Sequence, residues 1–176
     1  MQEWWSQPTA LPRDIHHNDI MYPLMYPITL LAFGRLRLEP CRGLERHYLD
    51  MLRPYARMDV VELTEGKGDA TRQLKEEADR LRPKLKAVQC PVLLTPEGKL
   101  RDSEGFAKWL AKRMDRGDSL AFALGSSHGF DAGLKKEIPE HLSLSPLTFP
   151  HELTRVLFLE QLYRAFTIIR GKEYHK

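Results

Sequence analysis

Short apolar runs and amphipathic stretches alternate along most of this chain. Runs typical of buried strands occur at residues 28–33, 60–63, 91–95, 119–124 and 142–144. Helical periodicity is found between and after them, at residues 38–52, 70–86, 103–116, 130–138 and 150–165. Strands that alternate with helices predict a mainly parallel sheet covered by helices on both faces, so we expect an α/β fold.

Two of the helices carry clear local signals. In residues 70–86 the apolar positions from Leu74 to Leu85 recur at spacings of four, three and four, which forms one buried stripe. The next helix is expected to be capped by Ser103, whose hydroxyl can accept a hydrogen bond from a backbone N–H of the first turn.

The last helix is apolar on too many sides to face a single core. Its large apolar side chains cover more than the ~100° stripe that a helix buries against one layer. They are Leu153, Val156, Leu157, Phe158, Leu159, Leu162, Tyr163 and Phe166. We therefore expect a second apolar surface that contacts another subunit, most simply in a symmetric homodimer. Glu160 and Arg164 stand four positions apart and are expected to pair along this helix.

The first 27 residues differ from the rest of the chain. They contain four prolines and two adjacent tryptophans, but no sustained period of two or of 3.6 residues. The sequence thus predicts an N-terminal extension, residues 1–27, and a folded domain, residues 28–176. Two alternatives stay open for the extension: translation starts at Met25, or Trp4 and Trp5 anchor the segment on the surface of the domain.

Composition and charge fit one soluble domain. The 176 residues include 27 Lys and Arg against 24 Asp and Glu, a net charge of +3 that becomes +5 over residues 28–176. This charge permits an anionic partner without requiring one. The two cysteines lie far apart without metal-ligand spacing, and no apolar run reaches the ~18 residues of a membrane span. We expect a cytoplasmic protein that uses neither a metal nor a membrane.

The best candidates for chemistry are loops that follow strands. The chain has no GxxxxGK[ST], no GxGxxG after a strand and no HExxH. Ligands of open α/β sheets gather at the carboxyl ends of the strands, which selects residues 95–98 (TPEG), 125–129 (GSSHG) and 143–151 (SLSPLTFPH). The first two are also typical of ordinary turns. The third is rigid and polar, which suits recognition of an adenine by backbone groups.

The last seven residues concentrate cations, an aromatic ring and an imidazole. Arg170, Lys172 and Lys176 can neutralise phosphates, while Tyr174 or His175 can stack on an unpaired base. The imidazole can also transfer a proton near neutral pH. These groups predict contact with RNA, and the alternative is a solvated, frayed chain end.

Long stretches of the chain resemble one known family. FALGSSHGF and LSLSPLTFPHELTRVLFLEQLYRAFTIIRGKEYHK are similar to the C-terminal signature of the RlmH family of ribosomal RNA large-subunit methyltransferases, which methylate N3 of a pseudouridine in 23S rRNA. ITLLAFGRL and VLLTPEGK resemble that family's first strand and the strand before its third helix. The resemblance covers residues 28–176.

The resemblance implies a SPOUT-type α/β knot, in which the C-terminal chain forms a trefoil knot that binds S-adenosylmethionine. It also implies a homodimer that acts on the 23S rRNA of the assembled ribosome. The cofactor contacts implied by position are Leu94, Gly125, Ser126, Ser145, Pro146, Leu147, Thr148, Phe149 and Pro150. The chain departs from the family pattern at Ser126, where glycine is usual, and at His128, where an acidic or small residue is common.

Methylation of N3 requires that a proton leave the base and that the developing charge be stabilised. We expect His175 to take the proton, Arg155 and Arg170 to stand beside the charge, and Tyr174 to orient the base. His151 is a weaker candidate for contact with the substrate. Two other functions stay open: methylation of a different RNA nucleotide by the same class of enzyme, and a catalytically silent, ribosome-associated knot protein that binds RNA.

Overall fold

The structure is a computed structural model that describes residues 26–172 and residue 174. In this part of the chain, five parallel strands form one sheet in the order β2-β1-β4-β3-β5. The strands are β1 (Tyr26–Phe33), β2 (Ala56–Leu63), β3 (Cys90–Leu100), β4 (Leu120–Leu124) and β5 (Glu140–Ser143). Parallel neighbours need crossover connections, and a helix lies between each strand and the next along the chain.

Helices cover both faces of the sheet. They are α1 (Glu39–Leu52), α2 (Ala70–Lys86), α3 (Ser103–Asp115), α4 (Ala132–Glu137) and α5 (His151–Ile169). One face packs against α1, α3 and α5 through a core that includes Phe122, Phe158 and Phe166. The other face packs against α2 and α4 through Leu85 and Leu134. The α/β fold expected from the sequence is confirmed.

Several element boundaries differ from those expected. The first strand begins at Tyr26 rather than at residue 28, and β2 begins at Ala56 rather than at residue 60, because the two strands pair from their first residues. The expected cap of α3 is wrong. The Asp102 carboxylate, not the Ser103 hydroxyl, accepts the backbone N–H of Gly105 at 2.7 Å.

Helix α5 packs between α1 and α3, which accounts for most of its apolar surface. Val156, Phe158, Leu159 and Leu162 are all buried within the same chain. Its apolar sides therefore do not by themselves require a partner, which corrects the argument made from the sequence, although Leu153 remains 38% exposed. The homodimer stays a prediction. The expected pair of Arg164 with Glu160 is present, with Nη2 and Oε1 2.6 Å apart.

The ionisation of Tyr26 is expected to lower stability in alkali. Tyr26 is 2% exposed and its hydroxyl donates to the Arg113 carbonyl at 3.4 Å. Burial, with a smaller contribution from Asp118, raises the pKa of Tyr26 to about 12. A raised pKa means that this stability is fully present below the ordinary pKa near 10 and is lost as the pH rises through 12.

Between pH 9 and 12 the wild-type chain should thus lose about 2 kcal/mol more unfolding free energy than Tyr26→Phe does. Urea unfolding of both proteins across that range measures the difference. Parallel pH profiles of the two proteins would show that the tyrosine ionises as easily in the folded chain as in the unfolded one.

Candidate functional site

Three loops at the carboxyl edge of the sheet, one within β3 and the others after β4 and β5, line one cavity of about 650 Å³. This volume lies within the range of small-molecule sites. The predicted cofactor residues among its lining are Leu94, Gly125, Ser126, Ser145, Leu147, Thr148, Phe149 and Pro150. Pro146 belongs to the same loop but does not line the cavity. The loops selected from the strand-end rule therefore meet at one place.

The first loop is a bulge inside β3 rather than a turn that ends the strand. Leu94 and Lys99 both pair with Leu142 of β5, so the four residues between them protrude at the carboxyl edge of the sheet. A Cβ on Gly98 would lie 2.6 Å from the backbone of Leu142. Glycine is needed there because the bulge packs directly on β5, which fixes Thr95 and Glu97 beside the cavity.

The second loop, residues 125–129, closes on itself after β4. The backbone N–H of Gly129 donates to the Ser126 carbonyl at 2.9 Å, and Gly129 has a φ of +79°, which favours glycine. A Cβ on Gly125 would lie 2.7 Å from the Gly129 oxygen, so this position also requires glycine. The Ser126 hydroxyl is buried in the cavity lining without a hydrogen-bond partner in the described structure.

Side-chain hydrogen bonds order the third loop. The Ser143 hydroxyl donates to the Ser145 carbonyl at 3.0 Å, and the Ser145 hydroxyl accepts the Leu147 N–H at 3.0 Å. At the start of α5 the Thr154 hydroxyl donates to the Pro150 carbonyl at 3.1 Å. The loop is thereby held in one conformation where its backbone borders the cavity.

Glu152 ties the start of α5 to the loop before α1. Its carboxylate accepts the backbone N–H groups of Arg37 and Leu38, both at 2.9 Å. The hydrogen bond from Leu38, opposed by desolvation and aided by the bond from Arg37, holds the pKa of Glu152 below its ordinary value. The third loop is therefore anchored at its helical end.

An ion pair stands at the cavity, and the sequence analysis did not find it. Glu97 from the β3 bulge and Lys135 from α4 lie 3.5 Å apart, Oε1 to Nζ, and both line the cavity. The Thr95 hydroxyl donates to the Glu97 carboxylate and is the main reason that the pKa of Glu97 is lowered. His128 and His151 also line the cavity. Glu97 lies in the predicted TPEG loop, but nothing in the sequence around Lys135 marks it.

Arg155 lies in an ion-pair cluster beneath the site. It is 4% exposed, donates from Nε to the Glu45 carboxylate and places Nη1 3.0 Å from Glu62. It borders a hollow of about 10 Å³ that Gly125 and His151 separate from the main cavity. Because two carboxylates neutralise its charge, the surroundings of Arg155 favour a structural role. Its catalytic role stays a prediction.

The C-terminal residues lie at the other end of α5 from the cavity. Tyr174 packs edge-on against Tyr163 with 4.7 Å between ring centroids, and the Arg164 guanidinium lies 5.0 Å from the Tyr174 ring. Burial is the main cause that raises the pKa of Tyr174. The Lys172 ammonium lies 5.1 Å from the Tyr55 ring centroid. His175, predicted to accept a proton, and Lys176, predicted to contact RNA, lie outside the described residues. So do residues 1–25 of the predicted extension.

Two kinds of feature are absent from residues 26–172 and 174. No group of three or more His, Cys, Asp and Glu side chains in this range is placed to hold a metal ion. No helix among these residues is long and apolar enough to cross a membrane. Cys41 and Cys90 are buried free thiols.

The chain is an α/β protein with a parallel sheet covered on both faces and a ligand-sized cavity at its carboxyl edge, which is where proteins of this architecture bind small molecules. Residues 26–175 match the family model described as a predicted SPOUT methyltransferase. The chain therefore belongs to the SPOUT methyltransferase family, whose members generally use S-adenosylmethionine.

A solved structure supports the fold. The chain is similar to a crystal structure of a protein from Neisseria gonorrhoeae assigned to a methylase family, with a TM-score of 0.50 and 9% sequence identity. The match covers 88% of this chain and 86% of the other. At this identity the likeness concerns the fold alone, and the trefoil knot stays a prediction.

Proposed function

We propose that this chain is a cytoplasmic methyltransferase that transfers a methyl group from S-adenosylmethionine to N3 of a pseudouridine in the 23S rRNA of the assembled ribosome. The observation that carries the proposal is the joint placement of the three family-like loops around one cavity. Membership of the SPOUT family supplies the class of reaction. The RlmH-like ending of the chain favours this nucleotide over other RNA targets.

The residues of the cavity fit S-adenosylmethionine. The buried Ser126 hydroxyl lacks a partner in the protein and is available to a ligand. The loop at Gly125 brings backbone close to the cavity where a side chain would not fit. Buried Leu94, Leu124 and Phe130 supply apolar surface for a base. When bound, the cofactor supplies an electrophilic methyl group.

The chain itself has to bind the RNA and remove a proton. His175 takes the N3 proton of the base, and Tyr174 stacks on or orients the ring. Arg170, Lys172 and Lys176 neutralise RNA phosphates, and Arg170 also stands near the charge that develops on the base. Because the chain's own net charge is small, recognition rests on a shaped target such as the ribosome rather than on attraction to RNA in general.

A homodimer brings the two halves of such a site together. Within one chain the 19 residues of α5, about 28 Å of helix, separate the cavity at His151 from the tail that begins at Arg170. Tyr174 packs on the far end of the helix. We infer that in a symmetric dimer the tail of each protomer works at the cavity of its partner.

Methylation of ribosomes tests the function. Ribosomes from cells that lack the gene are incubated with the full chain and S-adenosylmethionine, and the rRNA fragments are analysed by mass spectrometry. One methyl group on N3 of a single 23S rRNA pseudouridine is expected. His175→Ala should keep its affinity for the cofactor and lose most of the turnover, by about 100-fold or more if the imidazole is the base.

The other outcomes separate the alternatives. Methylation of another nucleotide would replace the proposed target but keep the class of enzyme. Cofactor binding without any methylated RNA would favour a catalytically silent RNA-binding protein. A mixture of Gly125→Ala and His175→Ala chains should recover part of the activity, because each mixed dimer has one intact cavity facing one intact tail. No recovery in mixed dimers would contradict a tail that works across the dimer.

A further inference from the structure

The cavity is apolar along its inner wall and charged at its mouth. The buried side chains of Leu94, Leu124 and Phe130 line the inner part. The side chains of Glu97 and Lys135 are 69% and 33% exposed and lie at the opening, 3.5 Å apart. Among the described residues that line the cavity, these two alone carry a full formal charge at neutral pH, and their charges are opposite.

Both charged residues stand on backbone that is held in place. The buried Thr95 hydroxyl donates to the Glu97 carboxylate, and Gly98 packs the bulge against β5. Helix α4, which carries Lys135, begins at Asp131, whose carboxylate accepts the Leu134 N–H at 3.0 Å. The fold therefore places the two opposite charges next to each other.

We propose that Glu97 and Lys135 bind the amino-acid end of S-adenosylmethionine, an inference that rests on the proposed function. The Glu97 carboxylate pairs with the α-ammonium group and the Lys135 ammonium with the α-carboxylate. In the free protein the two side chains pair with each other, so binding exchanges one ion pair for two. This makes them specificity residues for a zwitterionic ligand.

The distribution of polarity fixes which end of the ligand lies here. A zwitterion loses much free energy if it is buried without ionic partners, so it belongs at the hydrated opening beside opposite charges. An uncharged adenine needs apolar contact and a few hydrogen bonds, which the inner wall and the Ser126 hydroxyl provide. One orientation satisfies both requirements.

Isothermal titration of the full chain with three ligands tests the inference. S-adenosylmethionine and S-adenosylhomocysteine both carry the amino-acid end, whereas 5′-methylthioadenosine lacks it. Glu97→Gln and Lys135→Met are each expected to weaken both amino-acid ligands about tenfold, because each removes one charge-assisted contact. The affinity for 5′-methylthioadenosine should change less than about twofold.

Glu104→Gln is the matched control. The Glu104 side chain is also 69% exposed and lies 3.7 Å from a lysine, Lys108, but it stands on α3 and does not line the cavity. This variant should bind all three ligands like the unaltered chain. Thermal unfolding of each variant checks that the fold is retained.

The other outcomes overturn the inference in distinguishable ways. Equal weakening of all three ligands would show that the pair only shapes the cavity. Weakening of S-adenosylmethionine but not of S-adenosylhomocysteine would place Glu97 at the sulfonium, and unchanged affinities would remove both residues from the site. If the unaltered chain binds none of the three ligands, the proposed function fails, and this inference fails with it.

Discussion

Arg155→Met is expected to lower the free energy of unfolding by about 3 kcal/mol. The substitution keeps the volume of the side chain but removes a guanidinium that is 4% exposed and bonded to Glu45 and Glu62. The largely buried Glu45 carboxylate would lose its cation, while Glu62 would keep only the exposed Arg35, 3.8 Å away. Urea unfolding of the variant and the unaltered chain measures the loss.

Arg164→Met provides the comparison for Arg155. Arg164 lies on the same helix and also pairs with a carboxylate, but its side chain is more exposed and Glu160 is only one turn away. Glu160 is about as buried as Glu45, but it keeps the hydrogen bond that the Gln161 side chain donates to its carboxylate, so this variant should lose about 1 kcal/mol, less than Arg155→Met. Adding Glu45→Gln to Arg155→Met should recover part of the loss because it removes the buried carboxylate that has lost its cation.

Comparison of Arg155→Met with the unaltered chain distinguishes a structural role of Arg155 from a catalytic one. If Arg155→Met is as stable as the unaltered chain but transfers methyl groups much more slowly, the result would support the catalytic role, in which Arg155 stabilises the charge that develops on the base. A loss of stability with turnover intact under conditions where the variant is folded would leave Arg155 as a structural residue.

Elements with a complete local signal could be predicted to the residue. Helix α2 has the bounds expected from its apolar stripe, and Asp69 caps it through the Arg72 N–H at 3.0 Å. The starts of β1 and β2 could not be placed, because their extra residues are ordered by pairing with each other across the sheet. At α3 the adjacent Asp102 and Ser103 are both good capping residues, and the sequence pattern alone does not choose between them.

The candidate site, too, could be predicted only in part from the sequence. Its three loops follow from strand ends with glycine and proline nearby, so the sequence contains their signal. The pair of Glu97 and Lys135 joins a bulge in β3 to α4, and the two come together because β5 lies beside β3. The partners of Arg155 come from α1 and β2, far away in sequence, so nothing near Arg155 predicts its burial.

Gly125→Ala is expected to weaken S-adenosylmethionine binding at least 30-fold, about 2 kcal/mol. The new Cβ would lie 2.7 Å from the Gly129 oxygen and 2.9 Å from its carbonyl carbon, closer than real Cβ atoms approach. Gly129 cannot simply move away, because its N–H donates to the Ser126 carbonyl. The loop has to open, which moves the Ser126 hydroxyl and the backbone beside it away from the cavity and so removes their contacts with the cofactor.

Gly43→Ala makes the same chemical change where it should do no harm. A Cβ there meets nothing within 4 Å, and the residue lies inside α1, so the change should leave cofactor affinity intact and add about 0.5–1 kcal/mol of stability. Isothermal titration and thermal unfolding of both variants measure the two effects. The loop of Gly125 lies after β4 and outside the main core. The Gly125→Ala variant should therefore unfold at nearly the same temperature as the unaltered chain while its affinity for the cofactor falls. Wild-type affinity in Gly125→Ala would mean that this loop does not bind the cofactor.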